Sequence, residues 1–454
     1  MTKPLHETMH RTAKYFMDNG RAKTADEAVA LLKSYGLNIA VGPEIQSNAA
    51  AQIALLTLVN LARRTFLGGV SVVGLGEAKT LVALSAQPTL ASAVLELGGL
   101  IAGRLSAAWP TALIGSATAP VETAAPVWRL TWQGWRAGVV PAREGWRLSD
   151  DETCPLAPAL AAAICTAEAF SFHSGDDALS GKRGAGLSLW QPGVDWKSVD
   201  STEAPITFLP AKLWLIGLGN LGQSYAWLLG CFPYPERVAE IMLQDFDVLG
   251  DSNDSTSVLT YGKFLGRRKT RWTSAWMETR GFNTVIDEHR FGAWTKRQAD
   301  EPGVALCGVD KPHPRGALEQ AGFDLVVEAG LGAGPQSFRS FAIHTFPGPR
   351  RAADLWPTTL VLSQPTVSEM PAYKDLATKG LDKCGLAQLA SRTVGVPFVG
   401  LIAGSLAIAE VLRRLNGGAG YGVIAGSTLS LGDVEAGPGS HQVYPSGYCM
   451  ALRY

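Results

Sequence analysis

The chain has 454 residues, of which 46% are hydrophobic and 18% charged, and this balance predicts two or three well-packed globular domains. Lys plus Arg equals Asp plus Glu at 40 each, so no overall field draws the protein to nucleic acid or to an anionic membrane. The opening MTKPLHETMHRTAKYF lacks the apolar core of a signal peptide, and six cysteines form no C-x-x-C pair, which predicts a cytoplasmic, reduced protein without structural zinc.

Residues 1–40 read as a polar helical lead-in. In TADEAVALLKSYG, Thr24 offers an N-cap, Glu27 completes a capping box and Gly36 supplies a stop. From Ser47, SNAAAQIALLTLVNLARRTF predicts a long helix, and the following GGVSVVGLG predicts a strand ending in a glycine turn. No acid follows that turn where a nucleotide ribose is usually held, so this half reads as a nucleotide fold without its working parts. WRLTWQGWRAG predicts a β-rich packed insert. Residues 171–205, rich in Gly, Ser, Asp and Pro, predict a long loop or linker with a domain boundary near Pro205.

Beyond that boundary the pattern alternates. Strands are predicted over 213–217, 238–244, 283–287, 304–308 and 324–328, and helices over 221–230, 267–280 and 314–321. Such alternation implies an α/β, Rossmann-like fold with a mainly parallel sheet and helices on both faces. The most apolar window, VGVPFVGLIAGSLAIAEVL, approaches the length of a membrane span. Pro397 early and Glu410 late make it a turn followed by a buried helix, so no membrane segment is expected. That window and PLAPALAAAICTAEAFSF of the first half are both Ala-rich, and each carries an Ala-Glu pair. With glycine turns at Val72–Gly76 and Leu213–Gly222, they imply a diverged duplication, one copy over 41–204 and the other over 205–454.

The chemistry concentrates in the second copy. LWLIGLGNLGQSYAWLL passes from strand to helix through Gly217, Gly219 and Gly222, which allow a tight turn, close backbone approach and close helix packing at a helix N-terminus. That spacing serves a dinucleotide or ATP. In EIMLQDFDVLGDSNDSTSVL, Asp245 closes the next strand where a ribose-binding acid belongs, followed by Asp247 and by Asn253 in DSND. FLGRRKTRWTSAWMETRGFNT supplies Lys269, and VALCGVDKPHPRGAL ends a strand at Asp310, with His313 read as a loop residue. A cation, a carboxylate suited to a hard metal and oriented donors are what a nucleotide needs around a phosphorus under attack.

In this order the motifs resemble the ThiF/MoeB and ubiquitin-activating superfamily, which adenylates the C-terminal carboxylate of a ubiquitin-like protein. The resemblance covers residues 205–420 and, more loosely, 45–180. It implies ATP and Mg2+ as cofactors, with Asp245 on the ribose and the glycine turn against the nucleotide. Asn253 and Lys269 would lie near the phosphates, and Asp310 would be associated with magnesium. The family's usual arginine a few residues after the asparagine is replaced by Thr256. The family also brings an arginine from the partner adenylation fold, a role Arg63 or Arg64 in NLARRTF would fill from an inactive first copy. An inactive and an active copy in one chain are what single-chain ubiquitin-activating enzymes look like, and bacterial antiviral conjugation systems of the Bil type contain one.

Cys384 in AYKDLATKGLDKCGLAQLA, within a loop near 370–390, falls where relatives carry the cysteine that takes the acyl group as a thioester before a ubiquitin-conjugating-type enzyme receives it. Lys383 and a helix N-terminus would favour its thiolate. Cys165, Cys231 and Cys307 read as small core residues, with Cys154 and Cys449 next in line as nucleophiles. Two other functions use the same features. An NAD-dependent oxidoreductase would use the glycine turn but leaves Lys269 and DSND unexplained, and Thr256 keeps open a catalytically inactive scaffold for the ubiquitin-like protein.

Overall fold

A computed structural model describes residues 4–118, 124–198, 202–357, 369–440, 444–445 and 447–453. The lead-in forms three helices, Leu5–Thr8, Lys14–Asp18 and Ala25–Lys33. Thr24 caps the third by accepting the Glu27 N–H at 3.0 Å, while the Glu27 carboxylate reaches back one residue beyond the cap, to the Lys23 N–H at 2.6 Å. Gly36 does not end this helix. Gly36–Val41 is a strand buried along its whole length, so the lead-in stops near residue 35 rather than 40. A central parallel strand is covered on both faces, and GLNIAV therefore lacks the alternation that would mark it in the sequence.

The two halves repeat one topology. The first sheet contains Gly36–Val41, Gly69–Val73, Leu100–Ile101, Thr111–Ile114, Val127–Gln133, Arg136–Pro141 and Ala185–Ser188. The second contains Lys212–Ile216, Glu240–Gln244, Asn283–Asp287, Val304–Cys307, Leu325–Leu331, Ser340–Phe346, Tyr421–Ser427 and Ser430–Pro438. Numbered within each sheet, both run 3-2-1-4-5-6-7, and the second adds an eighth strand at its edge. Strands 1 to 5 pair in parallel, whereas 6 returns antiparallel to 5 and 7 antiparallel to 6. The fold is α/β and Rossmann-like, in two copies, each with a mainly parallel sheet.

This shared order corrects the register of the duplication. Ala40 pairs with Val73 in the first sheet as Leu215 pairs with Leu243 in the second, so Gly74 and Leu75 stand where the second copy has Gln244 and Asp245. VVGLG is thus the counterpart of the acid-bearing strand end, and the counterpart of the glycine turn is the segment from Gly42 to Asn48. Residues 171–205 are not simply a linker either. Residues 171–174 finish the helix Leu156–Ser174, and Ala185–Ser188 is the seventh strand, too short and too rich in small residues to read as one. The tryptophan-rich segment is strands 5 and 6 of the first sheet rather than an insert.

Four helices join the halves. Ala49–Thr65 packs on Leu156–Ser174, Asn220–Leu229 packs on Pro397–Leu415, and the two long helices pack on each other. Leu156–Ser174 is the one described helix long and apolar enough to cross a membrane, and 89% of its apolar window is buried within the protein. The two Ala-Glu glutamates are both buried but differently served. Glu410 accepts Arg414 Nε at 2.6 Å, Arg413 and the Tyr421 N–H at 2.9 Å. Burial pushes the Glu168 carboxyl up to about 7, only partly opposed by Arg183, and its Oε2 has no hydrogen-bond partner.

Candidate functional site

In the second sheet Gln244 pairs with Ile216 and Ile216 with Cys307, so three strand ends stand side by side. The glycine turn, Asp245 to Asp247 and Gly308 to Asp310 follow them directly. The chain order reverses between strands 1 and 4, and the crevice outside such a reversal is where open α/β sheets hold ligands. Each turn glycine has its own cause. Gly217 has φ +82°, and a Cβ on Gly222 would lie 2.0 Å from the Gly217 carbonyl oxygen. A Cβ on Gly219 would meet no protein atom within 4 Å, so this backbone is open to an approaching group.

Asp245 organises that turn. One carboxylate oxygen accepts the Leu218 N–H at 2.7 Å and the other accepts the Asp247 N–H at 2.8 Å, leaving lone pairs for further donors. Lys269 begins the helix Lys269–Glu278 and is not a free cation. Its Nζ lies 2.9 Å from Asp247 and 3.7 Å from Asp245. With two carboxylates converging on one strand end, an ammonium between them is the local electrostatic solution. Asn253 spends its side-chain oxygen on the Gly250 N–H at 2.8 Å, closing the turn Asp251–Asn253. Asp310 is exposed and has no hydrogen bond or ion pair among the described residues. Beneath its loop, Arg315 donates to Val309 O at 2.8 Å and pairs with the buried Glu328 at 3.0 Å, and Glu328 also binds His344.

The expected trans-acting role of Arg63 and Arg64 does not fit their surroundings. Both guanidiniums bind Asp254, at 2.8 and 3.1 Å, and Arg64 has a fully buried side chain, so neither is available to a phosphate. A different arginine, Arg11 of the lead-in, contacts the segment that follows Asn253. Its N–H donates to Ser255 Oγ at 3.2 Å, its Nη1 to Thr393 O at 3.0 Å, and Thr12 Oγ1 donates to Gly395 O at 3.1 Å. A Cβ on Gly395 would lie 2.9 Å from Thr256 Cγ2 and 3.6 Å from Arg11 Cβ, so the lead-in lies over the position of the missing family arginine. Burial and the neighbouring Arg392 push the Arg11 guanidinium down to about 10, with Asp310 partly offsetting them. Nothing in the polar lead-in sequence marks Arg11, because its placement depends on a contact 244 residues away.

Cys384 is exposed, as the second residue of the helix Lys383–Ser391 rather than in a loop, and Asp382 caps that helix through the Gly385 N–H at 2.7 Å. Burial pushes the Cys154 and Cys307 thiols up to about 12 and those of Cys165 and Cys231 higher still. Cys154 is also 2% exposed, which leaves its sulfur out of contact with the surface. Cys449 is half-buried in the strand Tyr448–Met450, and burial raises its thiol as well. The short helix Leu5–Thr8 packs both on the Cys384 helix and on Asp251–Asn253.

In the first half, the crevice between strands 1 and 4 holds a carboxylate of the protein itself. Glu44 accepts the Ser116 N–H with both oxygens at 3.2 Å. Among the described residues no group of three or more His, Cys, Asp or Glu side chains could hold a metal ion.

Two family models match the chain, the BilD N-terminal domain over residues 36–189 and the BilD C-terminal domain over 209–418. The "Bacterial E1-like protein BilD" of Collimonas sp. (strain OK412) is 54% identical over 449 residues, covering 98% of this chain and 97% of that protein. The chain belongs to the BilD family of bacterial E1-like proteins. The motif-based resemblance to the ubiquitin-activating superfamily is borne out by this membership. The first matched region opens at the strand Gly36–Val41 and ends just after Ala185–Ser188, whereas the second opens within the strand Phe208–Pro210 and ends before Tyr421–Ser427. Among solved structures, E. coli MccB overlaps 50% of the chain at 14% identity and a TM-score of 0.35, the overlap spanning 62% of MccB. MccB with ATP gives 0.33 at 14% identity over 52% of this chain and 66% of that one. PaaA gives 0.31 at 12% identity over 48% and 60%.

Proposed function

We propose that the second half uses Mg-ATP to adenylate the C-terminal glycine of a ubiquitin-like protein, releasing pyrophosphate. Cys384 then takes the acyl group as a thioester and passes it to a ubiquitin-conjugating-type enzyme. The observation that carries this reading is the meeting of the glycine turn, Asp245, Lys269 and the loop leading to Asp310 at the strand reversal of an E1-like chain.

Bound ATP supplies the electrophilic α-phosphorus, and the protein supplies orientation and charge. Asp245 accepts ribose hydroxyls with its remaining lone pairs, and the open backbone at Gly219 lies against the nucleotide. Lys269 exchanges part of its pairing with Asp247 for the phosphates, and the Asn253 amide N–H groups donate nearby. Arg11 is the second cation. Its guanidinium is half-buried near Arg392 and Asp310, and a phosphate there adds opposing charge. Asp310 supplies the carboxylate for magnesium, which commonly takes one or two protein carboxylates together with substrate phosphates.

The thiol step rests on exposure and placement. Cys384 is the exposed cysteine, and its helix shares the lead-in helix as a neighbour with the Asp251–Asn253 turn. Attack of its sulfur on the acyl carbon expels AMP and leaves the acyl group on sulfur, with proximity supplying much of the rate. The first half holds no nucleotide in this scheme, because Glu44 takes the Ser116 N–H and Leu75 stands in place of the ribose acid. The setting we propose is a cytoplasmic, Bil-type antiviral conjugation system.

Calorimetry with Mg-ATP and with NAD, followed by pyrophosphate exchange with the ubiquitin-like protein present, tests this reading. ATP binding and partner-dependent exchange are expected. NAD binding without ATP binding would indicate the oxidoreductase, and partner binding without exchange would indicate the scaffold.

A further inference from the structure

We infer that Arg63 and Arg64 are positioning residues, through which the first half imposes the working conformation of residues 253–260 of the second half. This inference rests on the proposed use of ATP by the second half. The segment carries Asn253 and Thr256 and receives the backbone N–H of Arg11 at Ser255. From Asp254 to Tyr261 it forms neither helix nor strand, so its carbonyls must find partners elsewhere.

The first half provides them. Arg64 donates from Nη1 to Asp254 O at 2.6 Å and Thr260 O at 2.7 Å, and from Nη2 to Val258 O at 2.9 Å. Asn60 fixes that guanidinium by accepting its Nε at 3.0 Å, and donates to Val258 O at 3.0 Å. Arg63 forks onto both carboxylate oxygens of Asp254 at 3.2 and 2.8 Å and also reaches Thr260 O at 3.1 Å. Three residues of one first-half helix therefore satisfy three carbonyls and one carboxylate of the site segment. The Tyr261 ring packs under both guanidiniums, 4.9 and 5.0 Å from its centroid.

The segment is tied from its other side to the glycine turn. Gln223 accepts the Leu259 N–H at 2.8 Å and Thr260 Oγ1 at 3.2 Å, and its own amide donates to Leu218 O at 3.2 Å. Loss of the arginine clamp would leave buried carbonyls unpaired, and the segment would relax away from this arrangement. On this account a copy without a nucleotide of its own is retained because it shapes the loop of the other.

The test uses the full chain with Arg63→Ala, Arg63→Lys and Asp254→Asn, leaving the fully buried Arg64 in place. KM for ATP and kcat are measured by pyrophosphate exchange, alongside amide hydrogen exchange. Arg63→Ala and Asp254→Asn are expected to raise KM for ATP at least tenfold and to speed exchange within 250–262, with the remaining protection unchanged. Arg63→Lys should recover part of the KM effect, since an ammonium reaches Asp254 but cannot fork. Unchanged KM and unchanged local exchange in both Arg63→Ala and Asp254→Asn would overturn the inference, as would uniform loss of protection across both halves in Asp254→Asn. Absence of pyrophosphate exchange by the wild type would instead count against the proposed function, and the amide-exchange arm would still decide whether the clamp holds the loop.

Discussion

Arg11→Ala should separate activity from stability by a wide margin. The substitution removes a guanidinium but keeps the Arg11 N–H on Ser255 and the Thr12 hydroxyl on Gly395, so the lead-in stays docked. Stability loses one exposed hydrogen bond to Thr393 O, worth about 0.5–1.5 kcal/mol, and gains relief from Arg392, for a net change of about 1 kcal/mol or less. For domains of this size that is a fall of roughly 2–4 °C in Tm. On the proposed role of Arg11, activity loses a phosphate contact worth about 2.7–4 kcal/mol in the transition state, or about two to three orders of magnitude in rate. Pyrophosphate exchange with saturating ATP and ubiquitin-like protein, run beside a thermal melt, measures both. Arg11→Lys should fall between wild type and Arg11→Ala, because it restores charge without the planar fork. Exchange within threefold of wild type for Arg11→Ala would refute the reasoning.

Lys269→Ala and Asp310→Ala should each lower pyrophosphate exchange by about two to three orders of magnitude without unfolding the chain, as checked by circular dichroism. Cys384→Ser should keep pyrophosphate exchange and lose the reductant-labile adduct with the ubiquitin-like protein on a non-reducing gel; a persisting labile adduct would move the nucleophile to Cys449. Equilibrium dialysis should give one ATP per chain, and two would contradict the assignment of nucleotide binding to the second half alone. Glu168→Gln should stabilise the protein at high pH. The folded carboxyl at about 7 keeps a proton that the unfolded chain releases above its ordinary 4.5, so wild-type stability falls as pH rises through that window. The difference in Tm by calorimetry should therefore be large at pH 8, corresponding to about 3 kcal/mol, and should vanish at acidic pH.

The second copy was legible where local signals are strong. The strand before the glycine turn, the helix after it and Asp245 all follow from glycine spacing and apolar runs, and Asn283–Asp287 has the predicted boundaries. The first copy was legible as a duplicate but misread in register, because GLNIAV is buried on both faces and VVGLG imitates a glycine turn that the chain does not use as one. The short strand Ala185–Ser188 was lost in small polar composition. Side-chain roles fared less evenly. Lys269 and Asp245 do meet at the crevice, but the pairing of Lys269 with Asp247 depends on a turn geometry that sequence does not specify. Arg63 and Arg64 were conspicuous as a pair, whereas Arg11 was not, and only the long-range contacts at Asp254 and Ser255 distinguish their duties.

On the proposed function, this chain attaches AMP to the C-terminus of a ubiquitin-like protein. Incubating Cys384→Ser with Mg-ATP carrying a labelled α-phosphate and with that protein, then analysing the partner by intact mass spectrometry, tests it most directly. The partner should gain one adenylyl group carrying the label at its terminal glycine, and a partner lacking that glycine should gain none. An unmodified partner while ATP is converted to ADP, or label retained on this chain alone, would contradict it.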